Sequence, residues 1–308
     1  MSEIGSLGDF ADWREGHDVD RCCLKKVVYG AGIASYSGDA GREFRPLRAS
    51  LAALGFDSGD FLEATYAAVR VESEWLPRTY QIQDAQRPIA RSALDLAREL
   101  DWYRERMPAS RLYLVGYSLG GVISFEAAAL LVSRNLRAWR GRLAGVVSFS
   151  SPLLGVDFGI LARLAGALAR QPDFYGQAGV ELVERAKSAE AADRLESQAA
   201  LLRAAGVRLL TIVDRNDAVV QYRDAVLPSA KERGEVLVVD AKLPDDADEV
   251  ARRYGHGPIL ADPRALEVVG RLIGAQECLG RHSRSAAADR VEDELRELRE
   301  RFRREHGE

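Results

Sequence analysis

The sequence predicts an α/β protein with a mostly parallel sheet of about six strands and helices on both faces. Three observations predict it. Short, continuous apolar runs such as residues 112–115 (LYLV) and 143–149 (LAGVVSF) recur along the chain, and a strand buried on both faces demands that composition. Stretches of ten or more residues with helical apolar spacing separate the runs, which is the alternation of βαβ units. Glycines stand where strands end and the chain must turn sharply.

Residues 1–23 read as a loosely ordered lead. Residues 24–29 (LKKVVY) are the first strand, ending in Gly30-Ala31-Gly32. A glycine-rich loop after a parallel strand exposes N–H groups at the carboxyl edge of the sheet, where open α/β sheets bind ligands; an ordinary flexible loop has the same composition. A helix over 47–54 closes at Gly55, and a strand over 60–67 follows. Residues 75–88, with Pro77 and Pro88, read as irregular before a helix over 89–106. Residues 112–115 form a strand that turns into a helix reaching Arg134, and 143–149 form the next strand.

After Ser150-Ser151-Pro152 the strand rhythm stops. Residues 153–206 carry helical stretches at 159–170 and 180–205, and an all-helical insertion behind a strand's carboxyl end reads as a cap over the site. Leu161, Leu164, Ala165 and Leu168 make an apolar stripe suited either to an acyl chain or to the insertion's own core. Strands resume at 207–213 and 235–239. A last core helix starts at Pro263 with Asp262 as its cap, and the α/β body thus spans 24–275. The tail, 276–308, is a charged helix in which Val291, Leu295, Leu298 and Phe302 form a narrow apolar seam. Such a seam packs on the body, on a second copy or on a partner, and a merely solvated helix fits as well.

Composition bounds the function. With 308 residues, 47% of them apolar, the chain is long enough for a large domain with a substantial core. Forty-three basic against 47 acidic residues leave a net charge of −4, so the positive excess that a phosphate backbone demands is missing and nucleic acid is not an expected partner. The N-terminal stretch lacks the basic-then-apolar order of a signal peptide, and no run of about 18 apolar residues exists to cross a bilayer. Cys22, Cys23 and Cys278 suit neither a disulfide framework nor a metal site. The expectation is a cytoplasmic protein that needs no metal and no organic cofactor.

The chemistry centres on Gly116-Tyr117-Ser118-Leu119-Gly120, a G-x-S-x-G between a buried strand and a long helix. That turn lifts the Ser118 hydroxyl above the sheet in a strained conformation, and glycines on either side let strand and helix pass closely. A serine is a weak nucleophile near neutral pH and needs a base, usually a histidine oriented by a carboxylate. Of four histidines, His17 lies in the lead, and His282 and His306 in the tail; His256, in the loop Tyr254-Gly255-His256-Gly257, follows the last strand and reaches the same sheet edge as Ser118. The carboxylate belongs after the strand 207–213, where Asp214 and Asp217 both stand. Asp217, at the loop tip and followed by the apolar pair Val219-Val220, is preferred, with Asp214 as a turn former. Leu119 N–H, at a helix start, and Ala31 N–H, after the first strand, are the expected donors to a developing oxyanion.

GYSLGG, DRNDAVV and GHGPIL, in the order Ser118, Asp217, His256, resemble the nucleophile elbow, acid loop and histidine loop of the α/β-hydrolases, in particular their esterase and lipase branch. The resemblance covers residues 24–273. Ser151-Pro152-Leu153-Leu154-Gly155 is similar to the Ser-Pro-His-x-Gly of lipase-like members, with Leu153 in place of the histidine, and Tyr29 stands where many members carry histidine before the oxyanion glycine. The family's first two antiparallel strands have no counterpart, which implies a six-stranded version. The resemblance implies a serine hydrolase that cleaves carboxylic esters of a small molecule or lipid through an acyl-enzyme. A thioesterase or acyltransferase uses the same triad, and a binding module that kept the fold without the chemistry is the alternative of another class.

Overall fold

The computed structural model describes residues 25–275 apart from 34, 37, 72–73, 78–79, 158, 160–175, 244–251 and 253. The lead, the stripe at Leu161–Leu168, all three cysteines, the tail seam and the three other histidines therefore lie outside the described residues.

Six strands form one parallel sheet. They are β1 (Lys25–Gly30), β2 (Phe61–Glu63), β5 (Arg111–Tyr117), β6 (Leu143–Phe149), β7 (Arg208–Asp214) and β8 (Val236–Val239), in the spatial order β2-β1-β5-β6-β7-β8. Between β1 and β2 come α1 (Asp39–Glu43) and α2 (Arg45–Ala52). Between β2 and β5 come the antiparallel pair β3 (Ala68–Val71) and β4 (Glu74–Pro77), then α3 (Ile82–Ala85) and α4 (Ile89–Arg106). Helix α5 (Leu119–Arg134) follows β5 directly, and α6 (Leu136–Trp139), α7 (Gly176–Arg185) and α8 (Ala189–Ala204) lie around β6 in the chain. Next come α9 (Tyr222–Ala225) and α10 (Pro228–Glu232), and α11 (Pro263–Ile273) closes the body.

Alternation along the buried strands divides the core in two. Val28, Leu112, Leu114, Val146 and Val213 join α4, α5 and α8 on one face, while Val27, Tyr29, Val115, Phe149 and Ile212 join α2 and α11 on the other. Each fully buried Leu, Ile or Val contributes about 1.5–3 kcal/mol, so both layers are strongly held. Helix α5 is buried almost all round because it lies between the sheet and the helices α4 and α8.

The chain leaves β1 toward β2 on one side and reaches β5 on the other. This reversal of direction makes the carboxyl ends of β1 and β5 the topological switch point, where open α/β sheets hold ligands. Gly30 pairs with Gly116, Tyr117 with Phe149, and Asp214 with Val239, so the loops after β1, β5, β7 and β8 share one edge.

Four expectations need correction. The stretch 75–88 is not irregular: it contains part of β4 and all of α3. Pro77 ends a two-stranded ribbon, where a missing N–H is tolerated. The strand expected over 60–67 lasts three residues, since Tyr66 turns to a left-handed φ of 48°. The helix expected over 180–205 is two helices, because the Ser188 hydroxyl accepts from Ala191 N–H at 3.1 Å and starts α8 afresh. Within the expected cap 153–206, α8 packs on α5 and β7 as the crossover from β6, with Leu195, Ala199 and Leu202 in the core. The last helix runs from Pro263 to Ile273 with the Asp262 carboxylate accepting from Ala265 N–H at 2.9 Å, as its cap and proline foretold.

Candidate active site

Ser118 sits between β5 and α5 with φ 52° and ψ −126°, far from where an L-residue rests. The neighbouring glycines explain how the turn closes. A Cβ at Gly116 would lie 2.3 Å from Gly121 N, and one at Gly120 would lie 2.2 Å from Gly30 O and 2.4 Å from Ala31 O. No side chain fits either gap, and so strand, helix and β1 loop meet backbone to backbone. Ser118 N–H donates to Phe149 O at 2.9 Å, which ties the turn to β6.

Asp217 and His256, 39 residues apart, meet: His256 Nδ1 and Asp217 Oδ2 are 2.7 Å apart, and the carboxylate is fully buried. The other oxygen, Oδ1, accepts from Val219 N–H at 2.8 Å and Val220 N–H at 3.0 Å. A carboxylate bonded on both oxygens has one orientation, and the Nδ1–H that it accepts leaves Nε2 as the imidazole's acceptor. Val219 and Val220 are buried and anchor the loop. Ala218 N–H donates to Tyr254 O at 2.7 Å, joining acid loop to histidine loop, and Gly255, at φ 67°, packs where a Cβ would meet Asn216 O at 2.4 Å.

Asp214, the other candidate, does something else. Its Oδ1 accepts from Asn216 N–H at 3.0 Å and Ala241 N–H at 3.2 Å, an Asx-type turn that also pins the loop after β8. Oδ2 is buried with no hydrogen bond among the described residues. Burial, above all, raises the Asp214 carboxyl above the usual carboxylate range, and the nearby Asp217 and Asp240 charges add to it, against the two N–H bonds.

Ala31 is buried at the end of β1, and Leu119 opens α5. Among the described loop and cap hydrogen bonds, neither N–H is spent on a backbone carbonyl. Gly32 lies beside the serine: a Cβ there would be 3.2 Å from Ser118 Cβ and 3.6 Å from its Oγ. The stretch Ser151 to Gly155 serves packing. Leu153 is in the core, its carbonyl accepts from Arg185 at 3.2 Å, and Ser151 presses on Gly121.

Sequence reasoning missed Tyr117. Its ring lies over the imidazole, with centroids 4.8 Å apart and planes at 32°, so the residue before the serine packs against the histidine. Its place beside Ser118 was the only signal available. Among the described residues no group of three or more His, Cys, Asp or Glu is arranged to hold a metal, and no helix is long and apolar enough to cross a membrane.

No family model matches the chain, and no curated protein matches it by sequence. Among solved structures, phospholipase PlaB from Legionella pneumophila, in complex with thio-NAD, is 17% identical over 64% of this chain and 41% of its own, with a TM-score of 0.42. The chain thus spans about two fifths of that phospholipase's length. A cutinase-like protein from Cryptococcus sp. is 13% identical over 83% of this chain and 98% of its own, with a TM-score of 0.43. The RedJ thioesterase from the prodiginine biosynthetic pathway in Streptomyces coelicolor is 16% identical over 83% and 92%, with a TM-score of 0.41. On its own strand order and strained serine turn, the chain has an α/β-hydrolase fold.

Proposed function

We propose that the chain is a serine hydrolase that cleaves carboxylic esters through an acyl-enzyme. The observation that carries this reading is the buried 2.7 Å contact of Asp217 with His256, on a histidine packed against the residue that precedes the strained Ser118. His256 Nε2 takes the Ser118 proton as Oγ attacks the ester carbonyl, and Asp217 stabilises the imidazolium that forms. The N–H groups of Leu119 and Ala31 receive the negative oxygen of the tetrahedral intermediate, the first aided by the dipole of α5. His256 returns the proton to the leaving alkoxide, and the alcohol departs. Water, deprotonated by the same imidazole, then attacks the acyl-serine, releasing the acid and restoring the hydroxyl. The acyl portion belongs at the switch-point edge, beside the loops that follow β1 and β5.

A fluorophosphonate probe tests this directly. It is expected to label Ser118, and Ser118→Ala is expected to abolish both labelling and turnover of short p-nitrophenyl esters. A folded protein that neither reacts with the probe nor hydrolyses any acyl ester overturns the proposal. Rates on acyl-CoA set beside rates on oxygen esters decide between ester and thioester as the preferred substrate.

A further inference from the structure

The backbone of the loop that carries Ala31 is held at two successive carbonyls. Tyr66 donates its hydroxyl to Ala31 O at 2.7 Å, and the Ser35 hydroxyl donates to Gly32 O at 2.7 Å. Ser35 Oγ lies 3.1 Å from the Tyr80 hydroxyl, and the Tyr66 and Tyr80 rings pack with centroids 5.3 Å apart. Both tyrosines are buried to within 1%. From the segment after β2, therefore, Tyr66 reaches one carbonyl directly and Tyr80 supports the Ser35 hydroxyl that reaches the other.

Placement argues that this is more than core packing. The Tyr66 hydroxyl would lie 2.2 Å from a Cβ at Gly30 and 2.4 Å from one at Gly120, so it is wedged between the β1 loop and the first turn of α5. A trans peptide points its N–H opposite its C=O. With the Ala31 carbonyl turned to the buried side by Tyr66, the Gly32 N–H is turned the other way, in the residue that lies against Ser118. Tyr66 holds a left-handed φ of 48°, a conformation a bulky residue keeps only when its surroundings impose it. Its carbonyl receives the Arg87 guanidinium, which Asp95 holds in turn at 3.2 Å.

We infer that Tyr66 is a positioning residue of the oxyanion site, fixing the Gly30–Gly32 backbone so that its N–H groups are presented to the negative oxygen, with Ser35 and Tyr80 as the second tie. The inference rests on the serine hydrolase reading. Burial pushes the Tyr66 hydroxyl well above its ordinary pKa, so it stays protonated and donating across any working pH.

The test is steady-state kinetics on a short p-nitrophenyl ester with Tyr66→Phe, which deletes one oxygen and keeps the ring. The expected result is a kcat lower by about tenfold to a hundredfold at unchanged KM, with a parallel drop in the rate of fluorophosphonate labelling; loss of a direct donor costs about a hundredfold to a thousandfold. Tyr113→Phe is the control, because its buried hydroxyl accepts from Arg208 at 2.9 Å early in β5 and its loss is expected to leave kcat near wild type. If Tyr66→Phe does not fold, Ser35→Ala replaces it, with a kcat loss at unchanged KM supporting the inference and an unchanged kcat overturning it. An active wild type whose Tyr66→Phe variant keeps kcat within about twofold, or loses no more than Tyr113→Phe does, overturns this inference alone. A wild type that hydrolyses no ester overturns the proposed function and this inference together.

Discussion

Two corners of one sheet edge are built by opposite means. At the acid and histidine corner a buried carboxylate is saturated, with one oxygen on two backbone N–H groups and the other on an imidazole. At the β1 corner, neutral hydroxyls hold backbone carbonyls, and glycines let three backbones crowd together. In the proposed reaction the first corner positions a side chain that moves a proton, which calls for charge. In the same proposal the second positions peptide N–H groups, and for those only the course of the backbone matters. A charged hydrogen bond is about twice as strong as a neutral one, so the second corner compensates with steric fit.

The largest expected effect comes from breaking the charged corner. Asp217→Asn keeps the size of the side chain but inverts its donor pattern, so His256 settles in the wrong tautomer, and kcat on a p-nitrophenyl ester is expected to fall roughly ten-thousandfold. A loss below about tenfold would show that Asp217 only shapes the loop.

Jamming the neutral corner comes next. In Gly120→Ala the new methyl meets the carbonyls of Gly30 and Ala31 at 2.2 and 2.4 Å, and backbone has little room to yield. The expected outcome is about 1–3 kcal/mol of lost stability in a denaturant titration. With it goes about a hundredfold in kcat, the scale of one misplaced oxyanion donor. Unchanged kcat in a destabilised variant would separate the two corners and place the β1 loop outside the chemistry.

Asp214→Asn is the smallest perturbation and sharpens the contrast between the two acids. Asn keeps the acceptor for Asn216 and Ala241 N–H, so kcat is expected to stay within about twofold of wild type. The folded Asp214 pKa is raised, so the stability linked to its proton is full below the unfolded value and is lost as pH rises through the folded one. The neutral amide escapes that loss. Thermal midpoints of variant and wild type are expected to converge in acid and to separate in the variant's favour toward neutral pH.

The charged corner was largely legible in the sequence because its residues are scarce types at fixed stations: one serine between two glycines, one histidine in the right loop, and two acids after one strand. Choosing between those acids needed only that one continues the strand and the other reaches the loop tip. The neutral corner was not legible. Tyr66, Ser35 and Tyr80 are ordinary buried hydroxyls spread over 46 residues, and nothing local distinguishes a hydroxyl that meets a carbonyl from one that faces solvent. Residues 60–67 have the composition of one strand, and only the left-handed turn at Tyr66 brings its hydroxyl under Ala31. Likewise the split before α8 hung on one serine hydroxyl reaching an N–H, a contact that periodicity does not register.

By itself the sequence determined the layers: which runs become buried strands, which helices cover them, where a serine is forced into a strained turn, and in what order acid and histidine follow. These depend on hydrophobic period and on glycine, properties each segment carries locally. Tertiary structure alone decided which carbonyl Tyr66 meets and which ring lies on His256. A hydrogen bond depends on distances of a few tenths of an ångström between segments far apart in the chain, and those distances exist only once both layers have packed on the sheet.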